Sequence, residues 1–149
     1  SVAPAVSHKR SRARSQAVQA IYRWQVTGDN VGDIVTDFLM EQDSGKFEVD
    51  YFRKLVSAVP ANLDELDGFI SPLLDRNVES VDLVERAVLR LGTYELWKNL
   101  EVPYRVVINE YVELAKIFGA DQGHKYINGV LDKLAKSLRA IEIKAAGKG

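Results

Sequence analysis

The chain has 149 residues, of which 46% are hydrophobic and 28% are charged, with a formal net charge of −1 and no cysteine. This length and composition are typical of one globular domain with a buried core. The lack of cysteine excludes disulfides, thiolate metal sites and a cysteine nucleophile. No apolar run is long enough to span a bilayer, and residues 1–8 lack the pattern of a secretory signal. We therefore expect a cytoplasmic protein.

The charge is distributed unevenly along the chain. Residues 1–28 carry five Lys or Arg and no acid, whereas residues 29–67 carry ten acids against three bases. Residues 119–149 carry three acids against six bases. Two basic ends around an acidic middle predict separate surfaces for separate partners.

Apolar residues recur at helical spacing through most of the chain, and no segment alternates as a strand does. The spacing predicts an all-α fold of about seven helices, at residues 11–27, 31–41, 48–59, 63–75, 81–99, 104–118 and about 123–142. We expect an N-terminal helical subdomain over residues 9–60 and a C-terminal one over 61–142. Residues 1–7 and 143–149 are expected to be flexible tails.

Capping residues and helix breakers set the expected boundaries. Ser7 or Ser11 is suited to cap the first helix, and Asn62 and Ser80 are suited to cap the fourth and fifth. Pro60 is expected to end or kink the third helix. Gly119 suits the left-handed position that follows a helix end.

The sequence gives little support to catalysis. It has no glycine-rich phosphate loop, and its two histidines, His8 and His124, lie in no metal-binding pattern. The acids fall at polar positions of amphipathic helices and are interpreted as solvated, although the fold could still assemble a carboxylate pair. We expect no catalytic residue, no metal site and no cofactor.

Nucleic-acid binding is better supported, first by the start of the first helix. Lys9, Arg10, Arg12 and Arg14 lie within six residues. Such cations neutralise phosphates and release counterions, whereas at a helix start they oppose the helix dipole. A disordered basic tail is the alternative. A membrane-surface helix is less favoured, because the apolar face is rich in alanine and lacks bulky anchors.

A second basic element follows the sixth helix. His124, Lys125 and Tyr126 lie at the start of the last helix, where backbone N–H groups point toward a bound anion. Lys125 adds positive charge, and an exposed tyrosine ring stacks on unpaired bases. The alternative is that Tyr126 packs in the core and Lys125 is only solvated.

Three longer segments carry a resemblance to a known family. Residues 102–133 read VPYRVVINEYVELAKIFGADQGHKYINGVLDK, residues 84–96 read VERAVLRLGTYEL, and residues 10–25 read RSRARSQAVQAIYRWQ. In this order they resemble the C-terminal signature, the central helix and the arginine-rich first helix of the NusB family of bacterial transcription antitermination factors. The resemblance extends from about residue 9 to residue 138.

The resemblance implies a non-enzymatic, all-helical RNA-binding protein of two packed subdomains. Members bind boxA RNA together with the ribosomal protein NusE and join it to the elongating RNA polymerase complex with other Nus factors. A homodimer that covers the RNA surface is an alternative to a free monomer. By resemblance the RNA contacts are Lys9, Arg10, Arg12, Arg14, His124, Lys125 and Tyr126. The residues that face NusE are Tyr22, Glu79 and Glu85.

The chain departs from the family pattern at a few positions. The turn before His124 usually carries two acids and a serine, and here it reads Asp121-Gln122-Gly123. Loss of one acid beside the RNA is expected to strengthen binding slightly. Tyr126 replaces the usual phenylalanine, and Pro60 stands where an ordinary helix residue is expected.

Two other interpretations remain open at this stage. One is the helical RNA-binding module that precedes the catalytic domain of some ribosomal-RNA cytosine methyltransferases, which would require a large catalytic partner. The other is a protein-interaction bundle whose basic ends only confer solubility.

Overall fold

The computed structural model of the chain describes residues 7–41, 44–120 and 122–148, and these ranges contain eight α-helices and no strand. The helices are α1 (His8–Thr27), α2 (Val31–Glu41), α3 (Val49–Ala61), α4 (Leu63–Ile70), α5 (Leu83–Lys98), α6 (Tyr104–Phe118), α7 (Gly123–Leu138) and α8 (Ala140–Lys148). Short 3₁₀ helices lie at Ser44–Lys46, Ser71–Leu73 and Val78–Ser80. The predicted all-α fold is confirmed.

Helix α5 is the central element of the fold. It packs against α1, α3, α4, α6 and α7, and every residue from Ala87 to Leu96 is buried. Gly92 allows α6 and α7 to pack closely on α5, because a methyl group there would stand 3.1 Å from Leu131 of α7 and 3.4 Å from Tyr111 of α6. Helix α1 packs against α2, α3 and α5, so its position is fixed by contacts along most of its length.

Several predicted boundaries agree with the structure. Ser7 caps α1 by accepting a hydrogen bond from the Arg10 N–H at 3.5 Å. Gly28, with φ of 69°, ends α1 in the left-handed conformation that glycine adopts without strain. Helix α6 follows Pro103 and covers the predicted residues 104–118.

The junction between α3 and α4 differs from the prediction. Pro60 lies inside α3, which continues to Ala61. Asn62 does not cap α4 with its side chain; its Nδ2 donates to the Ala58 carbonyl at 2.8 Å. The asparagine side chain therefore adds a second hydrogen bond to a carbonyl that already accepts the backbone N–H of Asn62 at 3.0 Å, at the end of α3.

Two further capping predictions were wrong. Ser80 belongs to a 3₁₀ helix, and Asp82 caps α5 by accepting from the N–H groups of Val84 and Glu85 at 3.1 and 3.2 Å. Gly119 has an extended backbone with φ of −88°, and Gln122 takes the left-handed conformation with φ of 69°. Asp82 directly precedes the first residue of α5, Leu83, so its carboxylate reaches two N–H groups of the first turn, whereas Ser80 lies two residues too early.

The predicted last helix is divided at Arg139. This buried guanidinium donates to the carbonyls of Glu95, Leu96, Asn99 and Val102 at 2.6–3.1 Å, so it satisfies the C-terminal end of α5. Helix α8 then continues to Lys148, through a stretch that was expected to be a flexible tail. The division into subdomains 9–60 and 61–142 stays a prediction, and residues 1–6 lie outside the described ranges.

Candidate nucleic-acid interface

The first turns of α1 carry exposed cations and no acid. Lys9 and Arg12 are exposed, and Arg12 Nη1 donates to the carbonyl of Lys46 at 3.3 Å. The Lys9 carbonyl accepts from the backbone N–H of Glu48 at 3.1 Å. The second contact fixes the backbone at Lys9, and the first holds the Arg12 guanidinium beside Lys46, while both side chains stay exposed to an anion.

Arg10 is only partly available. Its Nε and Nη2 donate to the carboxylate of Glu48 at 3.1 and 3.2 Å, and its guanidinium lies 4.2 Å from the centre of the Tyr51 ring. The hydrogen bond to Glu48 raises the pKa of Arg10, against the opposing effect of burial. The side chain is one-third exposed, so a phosphate that binds Arg10 competes with Glu48.

The structure corrects the prediction that Arg14 contacts RNA. Its side chain is 1% exposed and bonds both oxygens of Glu95, at 2.7 and 3.0 Å, and Glu110 Oε1 at 2.7 Å. Burial would lower the pKa of Arg14, but the hydrogen bonds and charge of Glu95 raise it. Because a fully buried, ion-paired guanidinium offers no surface to a polyanion, Arg14 positions α1 instead.

Glu95 is the anion at the centre of this buried network. It accepts hydrogen bonds from Arg14, from the hydroxyls of Tyr51 and Tyr111, and from Asn99 Nδ2 at 3.3 Å. Burial opposes ionisation of Glu95, but Arg14 and the two tyrosines lower its pKa below the ordinary value. Sequence reasoning interpreted the acids as solvated and missed Glu95. No local signal marked it, because its partner Arg14 lies 81 residues earlier in the sequence.

The start of α7 holds the second predicted element. Lys125 is exposed, whereas His124 and Tyr126 are half-buried. Asp121, the acid that this turn retains, lies outside the described residues, whereas Gln122, which departs from the family pattern, is exposed. A side chain at Gly123 would overlap the carboxylate of Glu85, so the glycine makes room for that carboxylate beside the first turn of α7.

Tyr126 lies in a small polar cluster and also packs against the core. Its hydroxyl donates to Asp75 Oδ1 at 3.1 Å, and the guanidinium of Arg76 lies 5.1 Å from the centre of its ring. Arg76 Nε in turn donates to Asp75 Oδ1 at 2.9 Å. Sequence reasoning did not single out Asp75 or Arg76, because nothing in the sequence places their loop beside α7.

Two pockets are lined jointly by residues of α1 and α6. Near the start of α1, a groove of about 230 Å³ is lined by residues of α1 and α6 that include Arg12 and Ile117. Farther along α1, Val18 and Tyr22 meet Phe118, the residue at which α6 ends before the turn to α7. Within the described ranges no hydrogen bond or ion pair joins Lys9, Arg10 or Arg12 to residues 124–126.

The residues predicted to face a protein partner gather around the start of α5. Tyr22 is 40% exposed and lines an apolar pocket of about 370 Å³ together with Val18, Gln19, Phe38, Val84 and Phe118. Glu85 adjoins Val84, and burial followed by the charge of Asp82 raises its pKa. Glu79 is exposed in the preceding 3₁₀ helix. Arg86 of α5 contacts this helix, because its Nη2 donates to the Glu79 carbonyl at 2.6 Å.

The part of the chain that the structure describes contains neither a cluster of metal-ligating side chains nor a membrane-spanning helix. No group of three or more His, Asp or Glu side chains there is placed to hold a metal ion. None of the described helices combines the length and apolar character needed to cross a membrane.

Comparison with known proteins identifies the family. The family model described as "NusB family" matches residues 11–136. The chain belongs to the NusB family. It is 50% identical over 139 residues to the transcription antitermination protein NusB of Pseudomonas savastanoi pv. phaseolicola, and this covers 93% of the chain and 84% of that protein. It is 51% identical over 130 residues to the NusB protein of Edwardsiella ictaluri, which covers 87% of the chain and 94% of that protein.

Solved NusB structures share the fold. The T. maritima NusB structure superposes with a TM-score of 0.78 at 29% identity, covering 89% of this chain and 94% of that one. A crystal structure of NusB and NusE in complex with double-stranded RNA superposes with a TM-score of 0.77 at 29% identity. The match covers 89% of this chain and 99% of that one. The family is thus one of transcription antitermination proteins rather than a known enzyme family, and one similar structure contains both RNA and NusE.

Proposed function

We propose that this NusB-family protein binds boxA-type single-stranded RNA through the starts of α1 and α7. Lys9 and Arg12 contact phosphates, Arg10 does so in competition with Glu48, and Lys125 adds a cation at the second element. Tyr126 stacks on an unpaired base, and His124 lies beside it. The observation that carries the proposal is the exposed pair Lys9 and Arg12, held on a helix that the buried Arg14–Glu95 ion pair fixes in place.

The second part of the proposal concerns the protein partner. Tyr22, Val84 and the pocket they line form an apolar centre. Glu85 follows Val84 on α5, and Glu79 is exposed in the 3₁₀ helix that precedes α5. Acids around an apolar pocket suit a basic ribosomal protein such as NusE, since complementary charge steers association. The heterodimer then joins boxA RNA to the elongating RNA polymerase complex with other Nus factors.

The test is a titration of boxA RNA with the full chain, alone and with NusE, at several salt concentrations. Arg12→Ala and Lys125→Ala are the variants, and Arg105→Ala is the control because Arg105 is an exposed arginine on α6 outside the proposed surface. We expect both variants to weaken RNA binding and the control to leave it unchanged.

Two results would contradict the proposal. The proposed RNA surface would be wrong if the chain bound boxA RNA and an unrelated single strand with equal affinity and if neither variant changed that affinity. Unchanged NusE binding by Tyr22→Ala and Glu85→Gln would remove the proposed partner surface and favour a different docking site.

A further inference from the structure

We propose that Asp75, Arg76 and Tyr126 form one nucleotide-binding subsite, in which Tyr126 stacks on a base and Arg76 binds the adjoining phosphate. This inference rests on the proposed RNA-binding function and extends it to a loop, residues 74–77, that carries none of the predicted contacts. The loop precedes the 3₁₀ helix Val78–Ser80 and reaches α7 through the Tyr126 hydroxyl.

The Tyr126 ring is held in place by packing and by a hydrogen bond. The residue is half-buried against the core, and its hydroxyl donates to Asp75 Oδ1 at 3.1 Å. Packing and this hydrogen bond hold the ring in one orientation, which lowers the cost of ordering the side chain on binding. Because the Arg76 guanidinium lies over the ring at 5.1 Å, a base that stacks there shares the ring face with Arg76. A phenylalanine at the same place would keep the ring and lose the hydrogen bond.

The guanidinium of Arg76 is held along one edge by Asp75. Its Nε and Nη2 face Asp75, at 2.9 and 3.5 Å, while within the described residues Nη1 makes no hydrogen bond. The side chain is about half exposed, with its guanidinium 5.1 Å from the centre of the Tyr126 ring. A guanidinium fixed along one edge presents its remaining N–H groups to a phosphate oxygen in a defined direction.

The charges of the cluster balance one another. The hydrogen bonds from Arg76 and Tyr126 lower the pKa of Asp75, so this carboxylate is ionised at neutral pH and holds both partners. Asp75 and Arg76 carry opposite charges, exposed Lys125 on α7 adds a cation, and Glu85 at the start of α5 adds an acid that acts on Arg76, so the cluster has no net charge. The free edge of Arg76 beside the Tyr126 ring suits a base together with a phosphate, which a nucleotide in an unpaired strand provides.

The experiment uses the full chain and boxA RNA in which single adenines are replaced by 2-aminopurine, whose fluorescence is quenched by stacking. For wild type we expect quenching at one RNA position on binding. Tyr126→Ala should abolish the quenching and weaken binding at least about fivefold. Tyr126→Phe should keep the quenching, with a smaller loss of affinity, because the ring remains but its bond to Asp75 is gone.

Arg76 is tested through the salt dependence of RNA affinity. Arg76→Ala should lower the slope of log affinity against log salt by about 0.7, the value for one phosphate of a single strand. Arg76→Lys should restore the slope but not the full affinity, because an ammonium keeps the charge and loses the planar contact. Arg105→Ala is the matched control, since Arg105 lies 5.4 Å from the Tyr104 ring centre on α6.

The outcomes separate the subsite from the wider function. If Arg12→Ala weakens RNA binding while Arg76→Ala changes neither affinity nor slope, the RNA surface stands and the subsite is wrong. Quenching that survives Tyr126→Ala would also overturn it. If wild type binds no RNA, with or without NusE, the subsite and the proposed function fail together.

Discussion

The starts of α1 and α7 are both rich in cations, yet they are built in different ways. At α1 the basic residues are divided between the surface and the core, because Arg12 is exposed whereas Arg14 is 1% exposed and bonded to Glu95. At α7 Lys125 is exposed, and the additional arginine, Arg76, comes from a distant loop. A run of charges in the sequence is therefore a poor guide to which cations reach the surface.

Helical geometry explains the difference at α1. Residues four apart lie on the same side of a helix, so Arg10 and Arg14 both face α3 and meet Tyr51, with guanidiniums 4.2 and 5.2 Å from its ring centre. Arg12 lies between them in sequence, stays exposed and donates to the Lys46 carbonyl at 3.3 Å. One basic helix thus supplies both a buried ion pair and an exposed charge.

The largest effect is expected for Arg14→Ala. Removing this cation leaves Glu95 buried without its charged partner, and breaking a buried pair in this way costs about 3–5 kcal/mol of unfolding free energy. Urea denaturation measures the loss. Arg12→Ala is the matched control, and its unfolding free energy should stay within about 0.5 kcal/mol of wild type. Equal stability of the two variants would contradict the assignment of Arg14 to the core.

The pH dependence of stability provides a second test of the buried network. Because the folded-state pKa of Glu95 is lowered, its contribution is fully present above its unfolded pKa of about 4.3 and is lost as pH falls through the folded value. Glu85, whose pKa is raised, acts with the opposite sign. Urea unfolding of Glu85→Gln between pH 7 and pH 3 should show a clear decline in stability. Constant or rising stability on acidification would be inconsistent with an ionised Glu95.

Glu48 pairs with Arg10 at the start of α1, so a substitution of Glu48 tests whether release of Arg10 strengthens RNA binding. Glu48→Gln removes the anion that engages Arg10, and an exposed ion pair of this kind contributes up to about 1 kcal/mol, so RNA affinity should rise by up to about fivefold. Asp37→Asn is the control, because Asp37 pairs with Arg23 at 2.9 Å toward the other end of α1. A rise with both substitutions would indicate a general effect of charge rather than release of Arg10.

The smallest effect is expected at the start of α7. Gly123→Ser would bring a side chain against the carboxylate of Glu85, and this flexible carboxylate can move aside. We expect a change of less than about 1 kcal/mol in unfolding free energy but a measurable change in affinity for NusE. Calorimetric titration with NusE checks this. An unchanged affinity for NusE would show that Glu85 is not part of the surface that binds NusE.

The sequence was sufficient to predict the helices but not the contacts between them. Periodic apolar residues after Pro103 predicted α6 correctly, since local pattern and local capping agree there. The break at Arg139 was missed because it depends on carbonyls at the end of α5, more than thirty residues away. Burial of Arg14 and Glu95 was missed for the same reason: each is explained by the other, across helices distant in sequence.

The central claim is that cations on two separate elements, Lys9 and Arg12 on α1 and Lys125 on α7, hold one RNA strand. The most direct measurement is the salt dependence of boxA RNA affinity for wild type and for the variant Lys9→Ala/Arg12→Ala/Lys125→Ala. The account predicts a slope smaller by about 2 in the variant, from three lost phosphate contacts, with unchanged unfolding free energy. An unchanged slope in a stably folded variant would contradict it.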